Sequence, residues 1–151
     1  MREFPRYAIA SVGAVLLRNG ELLLVRRGFP PGQGKWSIPG GVIEAGESLL
    51  EAARRELLEE TNLEAEPLGV IALSQVIVSE GNLIKYHYII VDVIFDESSL
   101  RGEEKPGGDA TCVSWFPLDE VLSKEDVTSS TRRLASVLKE RTSYLSLRQV
   151  I

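Results

Sequence analysis

Within "RELLEETNL", residues 55–63, three carboxylates crowd into little more than one helical turn: Glu56, Glu59 and Glu60. At a period of 3.6 residues Glu56 and Glu60 share a side, and Glu59 lies three residues from the first and next to the second, so all three can converge. Like charges at this spacing repel, and acidic groups at a helix C-terminus face the negative end of its dipole, each effect costing about 0.3–1 kcal/mol. A segment that breaks a local rule in this way is expected to serve a site. Several carboxylate oxygens, with no His or Cys close by in sequence, suit a hard cation such as Mg²⁺ or Mn²⁺ better than zinc. Taken alone, "EAARRELLEE" is more often a solvated helical face than a metal site, with Glu51 paired to Arg55. Its surroundings decide between the two.

The helix that would present these groups has clear ends. Ser48 and Glu51 form a capping-box signature, and Leu49, Leu50, Ala53, Leu57 and Leu58 recur at helical spacing, predicting a helix from about Leu49 to Thr61. Asn62, which tolerates the left-handed conformation, is its expected stop. Upstream, "AIASVGAVLL" and "ELLLVRR" flank Asn19-Gly20 and are expected to pair as a hairpin. "GFPPGQGKWS" (28–37) is a loop, followed by short extended pieces at Ile38 and "GGVI". Downstream, "LGVIALSQVIVS" and "LIKYHYIIVDVIF" form a second hairpin across Glu80-Gly81-Asn82. A polar loop from Asp96 to Ala110 leads to the strand "TCVSWFPL", a short turn of helix at "LDEVL", and an amphipathic helix from Ser129 or Ser130 to about Arg141. Strands with helices interspersed predict an α/β fold, a mixed sheet covered by helices.

With 151 residues and 44% hydrophobic composition, residues 1–151 are expected to form a single domain with a sizeable core. A net charge of -5 supplies no basic field for a nucleic-acid polymer. Cys112, the lone cysteine, excludes an internal disulfide framework and suits a reducing cytoplasm. The apolar run Ala8 to Leu17 is too short to span a bilayer and lacks signal-peptide organisation, so no membrane association is expected. The same run is a candidate homodimer surface.

Taken together, Gly41, Glu47, Arg55-Glu56-Leu57, Glu59-Glu60 and Leu63 stand at the spacing of the Nudix box, with Asn62 where that pattern has Gly. The segment therefore resembles the Nudix hydrolase family, and "GKWSIPGG" and "WFPLDEV" look like its flanks, so the likeness spans most of Ala8 to Leu122. The resemblance implies an α/β/α sandwich with a mixed β-sheet and attack of water on a phosphorus of a nucleoside diphosphate derivative. It implies Mg²⁺ or Mn²⁺ held by Glu56, Glu59 and Glu60 with a backbone carbonyl of the Gly40-Gly41 turn. One of Glu56 and Glu59 would also accept the water's proton, and the two remain alternatives. Arg55 diverges from Glu56 by ~100° around the helix, and the resemblance gives it the task of orienting box glutamates while paired with Glu47.

Outside the box, Asp109 is the leading candidate for a further acidic group at the site, with Glu103 and Glu104 competing. Arg26, Arg27 and Lys35 are candidates for substrate phosphates, and Trp36, Phe29 and Tyr88 for stacking on a base or for the core. His87 alternates with Ile89 and Val91 along a strand and is expected to be packed rather than catalytic. The substrate is expected to be a small nucleotide. "HYIIVDV" and "GGDATCVSWFPLDEV" look most like the ADP-ribose pyrophosphatase group, although Val78 to Asn82 carries neither the proline nor the tyrosine that mark particular substrate classes. A nucleoside triphosphate pyrophosphohydrolase and a catalytically silent binding module are the alternatives. The silent module should have lost box carboxylates, and none is missing.

Overall fold

The computed structural model describes residues 2–140. Helix α1 spans Leu49–Thr61. Ser48 Oγ accepts from the Glu51 amide at 3.1 Å and the Glu51 carboxylate accepts from the Ser48 amide at 2.9 Å, closing the capping box. At the other end Asn62 takes φ 63°, its amide bonds Leu58 O, and its side chain donates to Glu103 O at 3.0 Å. No basic residue occupies the last turn to offset Glu59 and Glu60.

The predicted hairpin at Asn19-Gly20 is real but shorter than expected. β2 (Leu17–Arg18) pairs antiparallel with β3 (Glu21–Arg27), with Asn19 and Gly20 at φ 51° and 78°. The preceding run is a separate strand, β1 (Ile9–Val15), which leaves the hairpin and enters another sheet. There it lies between β5 (Gly40–Val42), antiparallel, and β7 (Leu83–Phe95), parallel from Ile9↔Tyr88 to Val15↔Ile94. β6 (Pro67–Glu80) completes the order β5-β1-β7-β6. Both edges of β1 are thus hydrogen-bonded within the chain, which removes it as a dimer strand. β3 carries β4 (Trp36–Ser37) on one side and β8 (Ala110–Pro117) on the other.

Alternation along β1 and β3 sends side chains into two cores. Val12, Ala14, Leu16 and Leu23 pack with Ala52, Ala53 and Leu57 of α1. Val15, Leu22 and Leu24 face the opposite way, toward Val121 of α2 (Leu118–Ser123) and Leu134 and Leu138 of α3 (Ser129–Glu140). The result is the expected α/β sandwich: a mixed sheet with helices on both faces. The expected end of α3 near Arg141 lies outside the described residues. Within them, no helix is long and apolar enough to cross a membrane.

The left-handed turn at Asn62 makes a simple ranking. Asn62→Gly is expected to melt close to the native chain, whereas Asn62→Val should lose about 1–2 kcal/mol because a β-branched side chain resists positive φ. Thermal or urea melts of the two variants check the order.

Candidate active site

Arg55 is the hub of the box. Its Nε and Nη2 donate to the two oxygens of Glu47 at 2.6 and 2.9 Å, and Nη2 also donates to Val42 O at 3.1 Å. A planar guanidinium matches a carboxylate in this two-point fashion. The pairing holds Glu47 down at a pKa of about 2 and pushes Arg55 further up. The divergence expected from helical geometry does not keep Arg55 from its neighbour: the long side chain curves back, and Nη1 donates to Glu56 at 2.7 Å and to Glu59 at 3.3 Å.

Glu56 and Glu60 are each 8% exposed and lie against one another. Burial raises both, Glu60 to about 8, against the pull of the Gly40 amide and Arg27. A side chain at Gly41 would have no room, since a Cβ there would sit 2.3 Å from a Glu56 oxygen. The β5 turn and the two carboxylates therefore form one tight oxygen-rich cradle. Its donors are hard oxygens in a space that only glycine leaves open, which fits a Mg²⁺-like or Mn²⁺-like cation. The three glutamates do not converge as expected, however. Glu59 is half exposed and held by Arg55, and among the described residues no three Asp, Glu, His or Cys side chains are gathered in a metal-binding group.

The cradle opens into a cleft of about 630 Å³ that runs across the β1 and β7 surface to the loop after β3 and the start of α3. Lys35, Asp109, Phe29 and Tyr88 line it, as do Gly41, Arg55, Glu56, Glu59 and Glu60. Of the competing acids only Asp109 does so: Glu104 is turned away, accepting from Trp115 Nε1 at 2.6 Å and Arg18 at 3.2 Å. Two expected substrate contacts do not face the cleft. Trp36 is buried edge-on to Phe116 in the α3-side core, and Arg26 lies over its ring and pairs with Asp126 at 3.4 Å. Pleating decides this, because adjacent residues of β3 face opposite ways and Arg27 is the one that enters the cleft. Arg27 is positioned by Nε donation to Pro31 O at 2.6 Å, and burial lowers its pKa against the attraction of Glu60 and Asp109. His87 is absent from the lining, as expected of a packed strand residue.

One group in the cleft floor escaped sequence reasoning. Asp92, in the middle of the apolar strand "IIVDVIF", is fully buried, and desolvation pushes its pKa up to about 7. A charged residue inside an otherwise apolar strand was the available signal.

Residues 8–137 match the family model of the NUDIX domain. The chain belongs to the Nudix family and, as such, is a hydrolase of phosphoric anhydride bonds in small nucleotide derivatives, a class that generally needs a divalent metal. Among its relatives is an ADP-ribose pyrophosphatase of Methanocaldococcus jannaschii, 31% identical over 125 residues, 80% of this chain and 71% of that one. Another is the oxidized purine nucleoside triphosphate hydrolase of Danio rerio, 33% identical over 110 residues, 71% of this chain and 65% of that one. In structure the chain is similar to a MutT NUDIX hydrolase from Burkholderia pseudomallei, with a TM-score of 0.77 at 23% identity over 88% of this chain and 99% of that one. A MutT protein from Methanosarcina mazei gives 0.73 at 26% identity, over 90% and 96%.

Because the Asp92 pKa is raised on folding, its contribution to stability is full below the unfolded value near 3.8 and is lost as pH rises through about 7. Asp92→Asn should therefore gain stability over the native chain as pH rises, by on the order of 4 kcal/mol at pH 8 relative to the difference at pH 4. Urea unfolding of both proteins across that range measures it.

Proposed function

We propose that the chain hydrolyses the diphosphate linkage of a nucleoside diphosphate derivative with Mg²⁺ or Mn²⁺, and that ADP-ribose is favoured. The observation that carries this reading is the cradle of Glu56, Glu60 and Gly41, buried in the lining of a cleft of about 630 Å³. Glu56 and Glu60 would hold the metal with a carbonyl of the Gly40-Gly41 turn, and Glu59 would join them by leaving Arg55. Bound there, a divalent ion neutralises diphosphate charge and lowers the pKa of water.

The chain's own groups do the rest. Arg55, clamped to Glu47 and bonded to Val42 O, positions Glu56 and keeps the middle of α1 against β5. Arg27 and Lys35 bring positive charge to the phosphates. Asp109, on the facing loop, and Glu59 or Glu56 are the candidate proton acceptors. Residues 1–151 act as one domain, and a cytoplasmic setting agrees with the single cysteine.

The name of the archaeal relative supports ADP-ribose, and the name of the Danio rerio relative supports a (deoxy)nucleoside triphosphate as the second reading. A panel of both, assayed in labelled water, separates them. ADP-ribose should yield AMP and ribose 5-phosphate, with solvent oxygen on one phosphate and none on ribose carbon. Activity should vanish in chelator and return with Mg²⁺ or Mn²⁺. Glu59→Gln and Glu60→Gln should each lower turnover more than about tenfold, near 1.4 kcal/mol in the barrier. Label on carbon, full activity in chelator, or near-normal turnover by either variant would overturn the assignment.

A further inference from the structure

The cleft floor carries a polar group that the hydrolytic machinery does not use. Asp92 accepts the Ser74 hydroxyl at 2.6 Å through Oδ2, while its Oδ1 and the neighbouring Ser11 Oγ are buried and have no hydrogen-bond partner among the described residues. Ser11, Ser74 and Asp92 all line the cleft. They share one face of the sheet, since Ser11 and Ser74 stand opposite Ile90 on either side of β7, and Asp92 lies two residues further along that strand. Gly13, opposite Asp92, leaves the space the carboxyl needs: a Cβ there would stand 2.6 Å from Oδ1 and 2.5 Å from Ile38. Burying a carboxyl with one oxygen unpaired is costly, so a structural role alone accounts poorly for it.

Chemistry gives the pair a direction. A serine hydroxyl can donate or accept. Here the Ser74 proton is committed to Asp92, so Ser74 Oγ, which is part exposed, meets the cleft as an acceptor. Asp92 itself is fully buried and acts through the serine. Beside them Val76, Ile90 and Tyr88 form an apolar wall suited to the face of an aromatic ring rather than to a ribose or a phosphate.

We propose that Ser74, oriented by Asp92, is the base-reading contact of this cleft, accepting a hydrogen bond from the exocyclic amino group of a nucleobase and so favouring an adenine-type base over its oxo counterpart. Ser74 is the contact and Asp92 the positioning residue. The inference rests on the hydrolase reading for the cleft's occupant, and it deepens that reading by assigning specificity to residues outside the box. An oxo group would set acceptor against acceptor at Ser74 Oγ, a mismatch of the kind that polar sites reject strongly.

The test compares ADP-ribose with its hypoxanthine counterpart in the native chain, Ser74→Ala, Ser74→Thr and Asp92→Ala. The native ratio of kcat/KM, amino over oxo, should be about tenfold or more. It should fall to within about threefold of unity in Ser74→Ala and Asp92→Ala, which removes the acceptor, and recover in Ser74→Thr, which keeps the hydroxyl. A merely structural Asp92 would lower both substrates together and leave the ratio unchanged. Calorimetric binding of AMP and IMP to the same four proteins asks the question without turnover. Should the native chain hydrolyse neither substrate, the proposed reaction falls while the AMP to IMP ratio still decides the subsite. If Asp92→Ala fails to fold, Ser74→Ala decides. Equal ratios in the native chain and Ser74→Ala overturn the proposal.

Discussion

The two-point hydrogen bond between Arg55 and Glu47, with the added bond to Val42 O, is the constraint on which the site depends. It ties the middle of α1 to the chain just before the helix and to the end of β5 in one planar contact. Without it the helix end that carries Glu56 and Glu60 would be joined to the Gly40-Gly41 turn only by the Gly40 amide and by packing. Arg55 also spends its remaining nitrogen on Glu56 and Glu59, so part of the carboxylate repulsion is answered inside the helix itself. That offset is incomplete. Glu56 and Glu60 remain buried against each other with raised pKa values, and the helix end offers no cation of its own.

The sheet supplies the opposite wall. β1 is the shared element: Gly13 is open beneath Asp92, its backbone pairs with β5 and β7, and its side chains alternate between the α1 and α3 cores. One strand therefore sets both the distance from α1 to the turn and the floor along which a substrate would lie. Two glycines, Gly13 and Gly41, are required by close approach rather than by turn geometry. Each leaves space for a carboxyl group, Asp92 in one case and Glu56 in the other.

Local signals carried much of the fold. The capping box, the helix limits, the Asn62 stop and the Asn19-Gly20 turn depend on contacts within a few residues, and they stand where the sequence places them. Longer reach was harder. The first apolar run looked like one arm of a hairpin, yet it breaks at Leu16 and joins a parallel neighbour far along the chain, a pairing no local pattern encodes. The same limit governed the choice between Arg26 and Arg27. Both are cations beside a glycine-rich loop, and only the pleat and its partners send Arg27 to the cleft and Arg26 onto Trp36.

By itself the sequence determined the box, because its residues lie within a single loop and helix whose spacing brings them to one side. It also pointed to the class of chemistry, since the carboxylates stand with Gly41, Glu47 and Arg55 at the spacing of the Nudix box. Tertiary structure alone decided what stands across from that helix. Asp109 rather than Glu104 reaches the cleft, Glu59 turns to Arg55 instead of joining its neighbours, and Asp92 meets Ser74 from an adjacent strand. These outcomes depend on register and side-chain reach between segments distant in sequence, where a shift of one residue would turn every side chain to the other face.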